Sequence, residues 1–452
     1  MSNYKYVYSN KKTNINGNSK FFQQNGNSVS AMAGIKGNYH YNKASPVAKV
    51  YDNVLPESSL EKKLLSKSVM PDFDFEDVYD NKQNKDCVNK KNSKNNYNFN
   101  YSNNNSKNNY EYNNSESFTI NRELNSIINS TVGLSNLGNT CFMNTCLQNL
   151  IHSEDFIKRL ISKKSSISLS TPITYNFFNL CQEISLSKRA VSPNKFKEKF
   201  GLKHHLFSGY GQNDTQEFCR VLLEDMNTEL NEVKKKKPYV ELTTSGKTKI
   251  QCDREFDENF RGRENSIVMD SFYGQIINIF TCKCGFKDYS FQKVLDLPLL
   301  LQTSNTLDIN GLLEDYFEEE TIKFETKCEK CGKKRDHRKE VKFSQPPNIL
   351  ILSLQRINPR TKRKNTCSID FPQILDINKF IDGDCGHAND GEYILYGIGN
   401  HHGSINFGHY YAYIKLNDKY WYEFNDSYVR KMSEGINTRS TTAYTLFYKK
   451  RI

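Results

Sequence analysis

The chain has 452 residues, a formal net charge of +12 and a hydrophobic fraction of 37%. Its length exceeds that of a single compact core, and the low hydrophobic fraction indicates that part of the chain does not fold. No run approaches the ~18 apolar residues of a membrane-spanning helix, so we expect no membrane segment. The positive charge is compatible with nucleic acid as a partner. However, the lysines are scattered through polar segments, which favours a solvated surface instead.

The N-terminal part differs in composition from the rest. Half of residues 91–110 are asparagine, interleaved with serine, lysine and tyrosine. Such a segment buries too little apolar area to offset the entropy lost on ordering. We therefore predict a disordered Asn-rich region at residues 1–128 and a folded domain at residues 129–452. The first residues lack the apolar core of a secretory signal, which predicts a protein of the cytosol, the nucleus or both.

Predicted elements of the folded part change in type along the chain. Helical patterns come first, at about residues 141–162, 172–187 and 214–232. Strand patterns follow from about residue 268 and are rich in β-branched and aromatic residues. They include FYGQIINIFTC, NILILSLQR, HYYAYIKL and KYWYEFNDS. Helices followed by strands predict an α+β domain.

A candidate nucleophile lies at the start of the first helical pattern, where residues 133–150 read GLSNLGNTCFMNTCLQNL. The Gly-Asn-Thr run is turn-like, so Thr140 is the expected N-cap and Cys141 lies in the first helical turn. The positive end of the helix dipole favours the reactive thiolate there. Asn136, on the preceding loop, is a candidate donor to an oxyanion, a contribution of about 3 kcal/mol. A buried structural cysteine is the alternative reading of Cys141.

A candidate base follows near the C-terminus. A cysteine nucleophile needs an imidazole and a third group that orients it. His409 precedes a strand pattern that turns at Asn417-Asp418 and returns. A two-residue loop there places His409 opposite Asp426, and a shift of one residue places it opposite Asn425. The pattern alone therefore leaves Asn425 and Asp426 open as the third member.

Two acids begin the third helical pattern, in GQNDTQEFCRVLL at residues 211–223. Asp214 followed three residues later by Glu217 is a capping-box pattern, which explains both acids structurally. The functional interpretation is that they also pair with arginines of a substrate through charge-assisted hydrogen bonds. Asp214 is the stronger candidate for that contact.

Two close cysteine pairs lie in the strand-rich region, and four such thiolates suit a structural zinc site. They are Cys282 with Cys284 and Cys328 with Cys331. The one-residue spacer of the first pair strains a tetrahedral site, so an empty finger with free thiols is the alternative. No pattern indicates a catalytic metal.

Seven segments in order along residues 132–450 resemble the ubiquitin-specific protease family. They are the cysteine box, DTQEF, FYGQ, the cysteine pairs, LDLPL, ILILSLQR and the His409 box. Seven segments in family order are more specific than any one motif. The resemblance implies a papain-like fold in which a helical thumb carries Cys141 and a β-sheet palm carries His409. Fingers at about residues 265–345 would hold the zinc.

The resemblance also implies roles for the candidate residues. Cys141 is the expected nucleophile, Asn136 the oxyanion donor and His409 the base, with Asn425 as third member and Asp426 as its helper. The implied activity is thiol-dependent hydrolysis of the isopeptide bond after the C-terminal glycine of ubiquitin. It proceeds through a thioester and needs no catalytic cofactor.

Substrate contacts follow from the same resemblance. Asp214 and Glu217 are expected near the arginines of the ubiquitin tail, which ends Leu-Arg-Gly-Gly. His401, His402 and Tyr410 are expected beside the cleft, where the two histidines serve gating or loop structure rather than base chemistry. Ubiquitin and ubiquitinated proteins are the expected partners of a monomeric catalytic domain. A protease for another ubiquitin-like modifier and an inactive ubiquitin-binding scaffold remain as alternatives.

Overall fold

The N-terminal boundary of the fold differs from the predicted one. The computed structural model describes residues 119–301, 306–358, 361, 363–405 and 407–451. Up to position 118, the predicted disordered region lies outside the described residues. Residues 119–128, which were predicted to belong to the disordered region, are helical (α1). Leu124 and Ile127 supply the reason, because both side chains are buried in the main core.

Eight further α-helices lie within the described ranges. Helices α2 to α9 are Cys141–Ile151, Glu154–Ser162, Pro172–Leu186, Asn194–Lys203, Thr215–Glu229, Lys249–Arg261, Ile267–Phe272 and Ile309–Tyr316. The helix predicted at 141–162 is split into α2 and α3, because Ser153 adopts an extended backbone between them. Glu154 and Asp155 then place negative charge at the new helix start, where the dipole favours it. The other two predicted helices match α4 and α6 to within three residues.

Seventeen strands occur in the part of the chain that the structure describes. Strands β1 to β17 are Gly274–Cys282, Lys287–Val294, Leu297–Leu300, Thr306–Asp308, Glu320–Lys327, Lys334–Gln345, Ile349–Gln355, Ile357–Asn358, Arg363–Lys364, Ser368–Asp370, Ile374–Asp376, Glu392–Gly403, Gly408–Leu416, Tyr420–Asn425, Tyr428–Lys431, Arg439–Ser440 and Ala443–Lys450. Together with the preceding helices they confirm the predicted α+β class.

The largest sheet, called the palm here, has eight strands. Its order is β15-β14-β13-β12-β17-β7-β3, and β11 pairs with β12. Strand β7 reads ILILSLQ and buries six of its seven residues, since the fold covers both of its faces. Helix α2 is buried along its whole length and packs against β13, β12 and α6. The helix start and the palm strands thus meet at one place.

A four-stranded antiparallel sheet, called the fingers here, extends from the palm in the order β2-β1-β6-β5. Strand β1 pairs with β2 on one side and with β6 on the other. Cys282 ends β1, and the second cysteine pair lies in the turn between β5 and β6. The fingers therefore bring two tight turns, and both cysteine pairs, to one tip.

The β13–β14 hairpin does not form either predicted register. Leu416 pairs with Tyr420 and Ala412 pairs with Phe424, so three residues separate the paired ends instead of two. Asn417 and Asp418 both adopt positive φ angles of 52°, and this conformation lengthens the turn. Neither Asn425 nor Asp426 is therefore directly opposite His409. Any contact of either residue with His409 is diagonal, beyond the last paired residues of the hairpin.

Among the described helices, none has both the length and the apolar character needed to cross a bilayer.

Candidate active site

The loop before α2 is shaped by the side chain of Asn136. Its Oδ1 accepts hydrogen bonds from the backbone N–H of Gly138 (2.9 Å) and of Thr140 (3.2 Å). Gly138 has a φ of +96°, a conformation that favours glycine. Thr140 occupies the predicted N-cap position, but its hydroxyl accepts from Leu137 N–H (2.8 Å) and does not cap the helix. The first N–H groups of α2 are thus left without a side-chain cap.

Cys141 begins α2 and is almost fully buried, with 2% of its surface exposed. Its thiol raises the pKa of His409, so the two side chains lie close together. The unpaired N–H groups of the first turn and the helix dipole both favour negative charge at this sulfur. The structure therefore brings together the predicted nucleophile and the predicted base. Cys146, five residues later, is buried in the core.

His409 lies near the start of β13 and is half-buried. Its Nε2 lies 2.7 Å from Asn425 Oδ1. An amide oxygen only accepts, so Nε2 carries the hydrogen and donates it. In the neutral ring, Nδ1 is then the unprotonated nitrogen that is able to take the thiol proton.

The surroundings of His409 stabilise its protonated form. The hydrogen bond with Cys141 is the largest cause, and with the bond to Asn425 it raises the pKa of His409 to about 9. The negative charge of Asp426 adds to this effect, whereas burial opposes it. A ring that holds its proton at neutral pH beside a thiol favours the thiolate–imidazolium pair.

Asn425 and Asp426 make different contacts in this arrangement. Asn425 contacts the His409 ring directly, whereas the nearest Asp426 oxygen is 3.9 Å from Nε2. Asp426 instead accepts from Asn136 Nδ2 (2.8 Å) and from Asn144 Nδ2 (2.7 Å). The geometry thus favours Asn425 as the third member and makes Asp426 a positioning residue for the loop.

Asp426 also fixes that loop through its backbone. Its carbonyl accepts from Leu134 N–H at 2.9 Å. Gly133 passes so close that a Cβ there would lie 2.4 Å from the same oxygen, which explains a glycine at this position. One hydrogen of the Asn136 amide is used by Asp426, and the second remains for a developing oxyanion.

Asp214 caps α6 and joins it to the palm. Its Oδ1 accepts from the N–H groups of Gln216 (2.7 Å) and Glu217 (3.3 Å), and its Oδ2 accepts from the Tyr444 hydroxyl. Burial raises the pKa of Asp214, while the Tyr444 hydroxyl acts in the opposite direction. Glu217 is exposed and is the more accessible of the two predicted acids.

The three predicted cleft residues on β12 and β13 are placed differently from one another. His401 and Tyr410 pair across the strands, their ring centroids are 4.3 Å apart, and each is 4% exposed. Burial lowers the pKa of His401 to about 4, so its ring is neutral at physiological pH. Both side chains are buried and packed against each other in this structure, and their contact with substrate stays a prediction. His402 is exposed and lies directly opposite His409.

The four predicted metal ligands form one cluster at the finger tip. Their four sulfur atoms all lie within 4.8 Å of one another, with Cys282–Cys331 at 3.9 Å and Cys284–Cys328 at 3.7 Å. A tetrahedron with Zn–S bonds of about 2.3 Å has sulfur–sulfur edges of about 3.8 Å. The set is thus suited to a metal ion, despite the short first spacer.

Two residues that sequence analysis did not select belong to the site. Asn144 lies one helical turn after Cys141 and donates to Asp426. It stands within the cysteine box, which is the signal that marks it. Tyr444 binds Asp214 from β17, where its strand pattern AYTLFYKK offers no signal of function.

Comparisons with known proteins identify the family of the chain. Residues 132–448 match the family model described as ubiquitin carboxyl-terminal hydrolase. The chain is similar to ubiquitin carboxyl-terminal hydrolase Usp2 of Drosophila melanogaster, with 32% identity over 70% of this chain and 34% of that protein. It is also similar to ubiquitin carboxyl-terminal hydrolase 2 of Gallus gallus, with 31% identity over 72% of this chain and 94% of that protein.

A solved structure supports the same fold. The SAGA Ubp8/Sgf11/Sus1/Sgf73 DUB module bound to ubiquitin aldehyde contains a chain that matches with a TM-score of 0.57 and 24% identity. The match covers 72% of this chain and 71% of that one. The matched region is about a third of the fly relative and nearly all of the chicken one. The chain belongs to the ubiquitin carboxyl-terminal hydrolase family, in its ubiquitin-specific protease group.

Proposed function

We propose that this chain is a deubiquitinase that hydrolyses the isopeptide bond after the C-terminal glycine of ubiquitin. The observation that carries the proposal is the contact between Cys141 and His409, with Asn425 bound to the far side of the ring. The three groups that a cysteine-protease triad needs are therefore close together, which supports this chemistry. Membership of the family supports ubiquitin as the substrate.

The mechanism follows from the positions of these groups. The Cys141 thiolate attacks the glycine carbonyl, and the Asn136 amide donates to the oxygen that becomes negative. The His409 imidazolium gives its proton to the leaving lysine amine, which leaves a thioester on Cys141. His409 then accepts a proton from water, which attacks the thioester and releases ubiquitin and the free thiol.

Recognition of the ubiquitin tail is assigned to the acids of α6 and to the strand end beside His409. Glu217 is exposed, so its carboxylate is accessible to a tail arginine. Asp214 acts with it as a half-buried carboxylate at the helix start. His402, exposed and opposite His409, is a candidate contact for the glycines that enter the cleft.

The cysteine cluster is proposed to hold structural zinc. Four cysteine sulfurs within 4.8 Å of one another, with two pairs at 3.9 Å and 3.7 Å, suit the geometry and the softness that zinc prefers. Bound there, zinc would cross-link the two finger turns and keep the fingers in shape for the globular body of ubiquitin. The catalytic groups of the thumb and palm need no metal.

We also propose a cellular compartment and an assembly state for this chain. All eleven cysteines of the described residues are free thiols, which supports a reducing compartment, the cytosol or the nucleus. A monomeric catalytic domain is the proposed assembly, and nucleic acid is not a favoured partner.

A ubiquitin probe with a thiol-reactive C-terminus tests the proposed function. We expect covalent labelling at Cys141, identified from the labelled peptide, and none in Cys141→Ala. Folded protein that binds ubiquitin but leaves Cys141 unlabelled would indicate the inactive scaffold instead. Side-by-side cleavage of fluorogenic conjugates of ubiquitin and of other modifiers identifies the modifier, and the proposal predicts preference for ubiquitin.

A further inference from the structure

A second carboxylate lies directly behind the triad, at Glu423 on β14. Asn425 Nδ2 donates to Glu423 Oε1 at 3.3 Å, while Asn425 Oδ1 faces His409 Nε2 at 2.7 Å. Glu423 is 8% exposed, so it is a buried charge rather than a surface one. The chain of contacts therefore runs from Cys141 through His409 and Asn425 to Glu423.

The strand geometry fixes this arrangement. Successive side chains of a strand point to opposite faces, so Glu423 and Asn425 share one face while Phe424 lies on the other. Phe424 is 2% exposed and packs with Ala412 in a hydrophobic cluster. That packing holds β14 with the two polar side chains turned toward the His409 side.

Arg430 occupies the other oxygen of Glu423. Its Nε and one terminal nitrogen lie 2.9 Å and 2.6 Å from Glu423 Oε2. The two residues are directly opposite each other in the β14–β15 pairing, so their side chains share a face. Oε2 thus accepts from the guanidinium of Arg430, and Oε1 accepts from the amide of Asn425.

An asparagine at the third position has an orientation problem that a carboxylate does not have. Its oxygen and its NH₂ group have nearly the same shape, but only the oxygen accepts from an imidazole N–H. With the amide reversed, two donors would face each other, and the ring would lose the partner of its Nε2 hydrogen. A neighbouring carboxylate resolves this, because it accepts and cannot donate.

We propose that Glu423, held by Arg430, is a positioning residue that fixes the amide orientation of Asn425 and thereby the ring of His409. The inference rests on the proposed protease function. It adds two residues that do not touch the substrate and act only through Asn425. Glu423 keeps the Asn425 oxygen on His409 Nε2, which in turn keeps Nδ1 available to Cys141.

The test is a double-mutant cycle between Glu423→Gln and Asn425→Asp. A glutamine is able to present either end of its amide, so Glu423→Gln removes the orientation signal and retains the size. In the otherwise unchanged enzyme we expect kcat for a ubiquitin fluorogenic substrate to fall about tenfold at unchanged KM, as for one hydrogen bond to a charged ring. In the Asn425→Asp background we expect no further fall, because the two oxygens of a carboxylate are equivalent.

A second readout does not depend on ubiquitin. Alkylation of Cys141 by iodoacetamide at neutral pH, followed by mass spectrometry of its peptide, reports the reactive thiolate. Glu423→Gln is expected to slow this alkylation in the presence of Asn425 and not in the Asn425→Asp background. If the protein shows this alkylation pattern but does not cleave ubiquitin, the positioning inference stands and the proposed substrate is wrong.

The matched control is Glu392→Gln, at the start of β12. Glu392 pairs with Arg451 at 3.1 Å in the same sheet and touches none of the triad residues. It is expected to leave kcat and alkylation unchanged. Equal losses from Glu423→Gln in both backgrounds, or no loss in the unchanged enzyme, would overturn the inference in favour of a merely structural ion pair.

Discussion

Asn136 and Asp426 are 290 positions apart in the chain and are joined by a hydrogen bond of 2.8 Å from Nδ2 to Oδ2. The bond connects the loop before the nucleophile with the end of the palm hairpin. Asp426 therefore binds the predicted oxyanion donor, while Asn425 beside it binds the predicted base. Two adjacent residues at one strand end thus contact the two sides of the proposed site.

This division predicts different consequences for two neighbouring substitutions. Asp426→Ala is expected to lower kcat about 10²-fold through a misplaced oxyanion donor, and to lower the pKa of His409 only slightly, because the Asp426 charge is the smallest of its causes. Asn425→Ala removes a direct hydrogen bond and is expected to lower that pKa. Histidine titration by NMR and steady-state kinetics measure both effects.

The control for this pair is Asp418→Asn, which removes the charge and keeps a side chain that tolerates the positive φ of 52°. Asp418 lies in the exposed turn of the same hairpin, where it pairs with Lys449. It is expected to change neither kcat nor the titration of His409. A larger pKa decrease for Asp426→Ala than for Asn425→Ala would reverse the assignment of the third member.

The raised pKa of His409 predicts the alkaline side of the pH profile. His409 is protonated below its pKa of about 9, and the imidazolium stabilises the thiolate and supplies the leaving-group proton. We therefore expect kcat/KM to fall as pH rises through about 9. A profile that keeps rising through that range would contradict the ion pair.

Removing the thiol tests the cause of that pKa. The hydrogen bond with Cys141 is the largest contribution, so Cys141→Ala is expected to lower the pKa of His409 toward its ordinary value. NMR titration of the two proteins gives the comparison. An unchanged pKa would mean that the two side chains do not interact in solution.

The zinc proposal predicts metal content and stability together. We expect about one zinc ion per chain in the purified protein, lost in Cys284→Ser together with thermal stability of the fingers. Lys283→Ala, an exposed residue between two ligands, is the matched control and should retain the metal. Equal zinc content in both variants, measured by mass spectrometry of the metal, would remove the cysteine cluster as the site.

The two acids of α6 should separate binding from stability. Glu217→Ala is expected to raise KM for ubiquitin about threefold, as for an exposed charge pair, with little effect on unfolding. Asp214→Ala loses a helix cap and the acceptor of Tyr444, so the free energy of unfolding should fall by about 2 kcal/mol. Thermal unfolding and kinetics on both variants measure this, and the reverse pattern would make Asp214 the substrate contact.

Local sequence was sufficient for the catalytic elements of this chain. The GNTC run predicts a turn and a helix start, and the structure has both at Cys141. The strand pattern after Gly408 predicts β13 with His409 near its start. Both predictions depend only on residues close together in the chain.

Long-range relationships were not predictable in the same way. The hairpin register depends on the positive φ angles of Asn417 and Asp418, which the residue types permit but do not require. The hydroxyl of Thr140 binds the loop instead of the helix, because Leu137 N–H competes for it. The burial of His401 against Tyr410 depends on which strands flank it, and α1 is ordered by a core formed far along the chain.

The most direct measurement is hydrolysis of a ubiquitin C-terminal fluorogenic substrate by the unchanged chain and by Cys141→Ala. We expect turnover by the unchanged chain, no turnover by Cys141→Ala, and equal ubiquitin binding by both proteins. Turnover that survives Cys141→Ala, or its absence in a folded chain that has Cys141, would contradict this expectation.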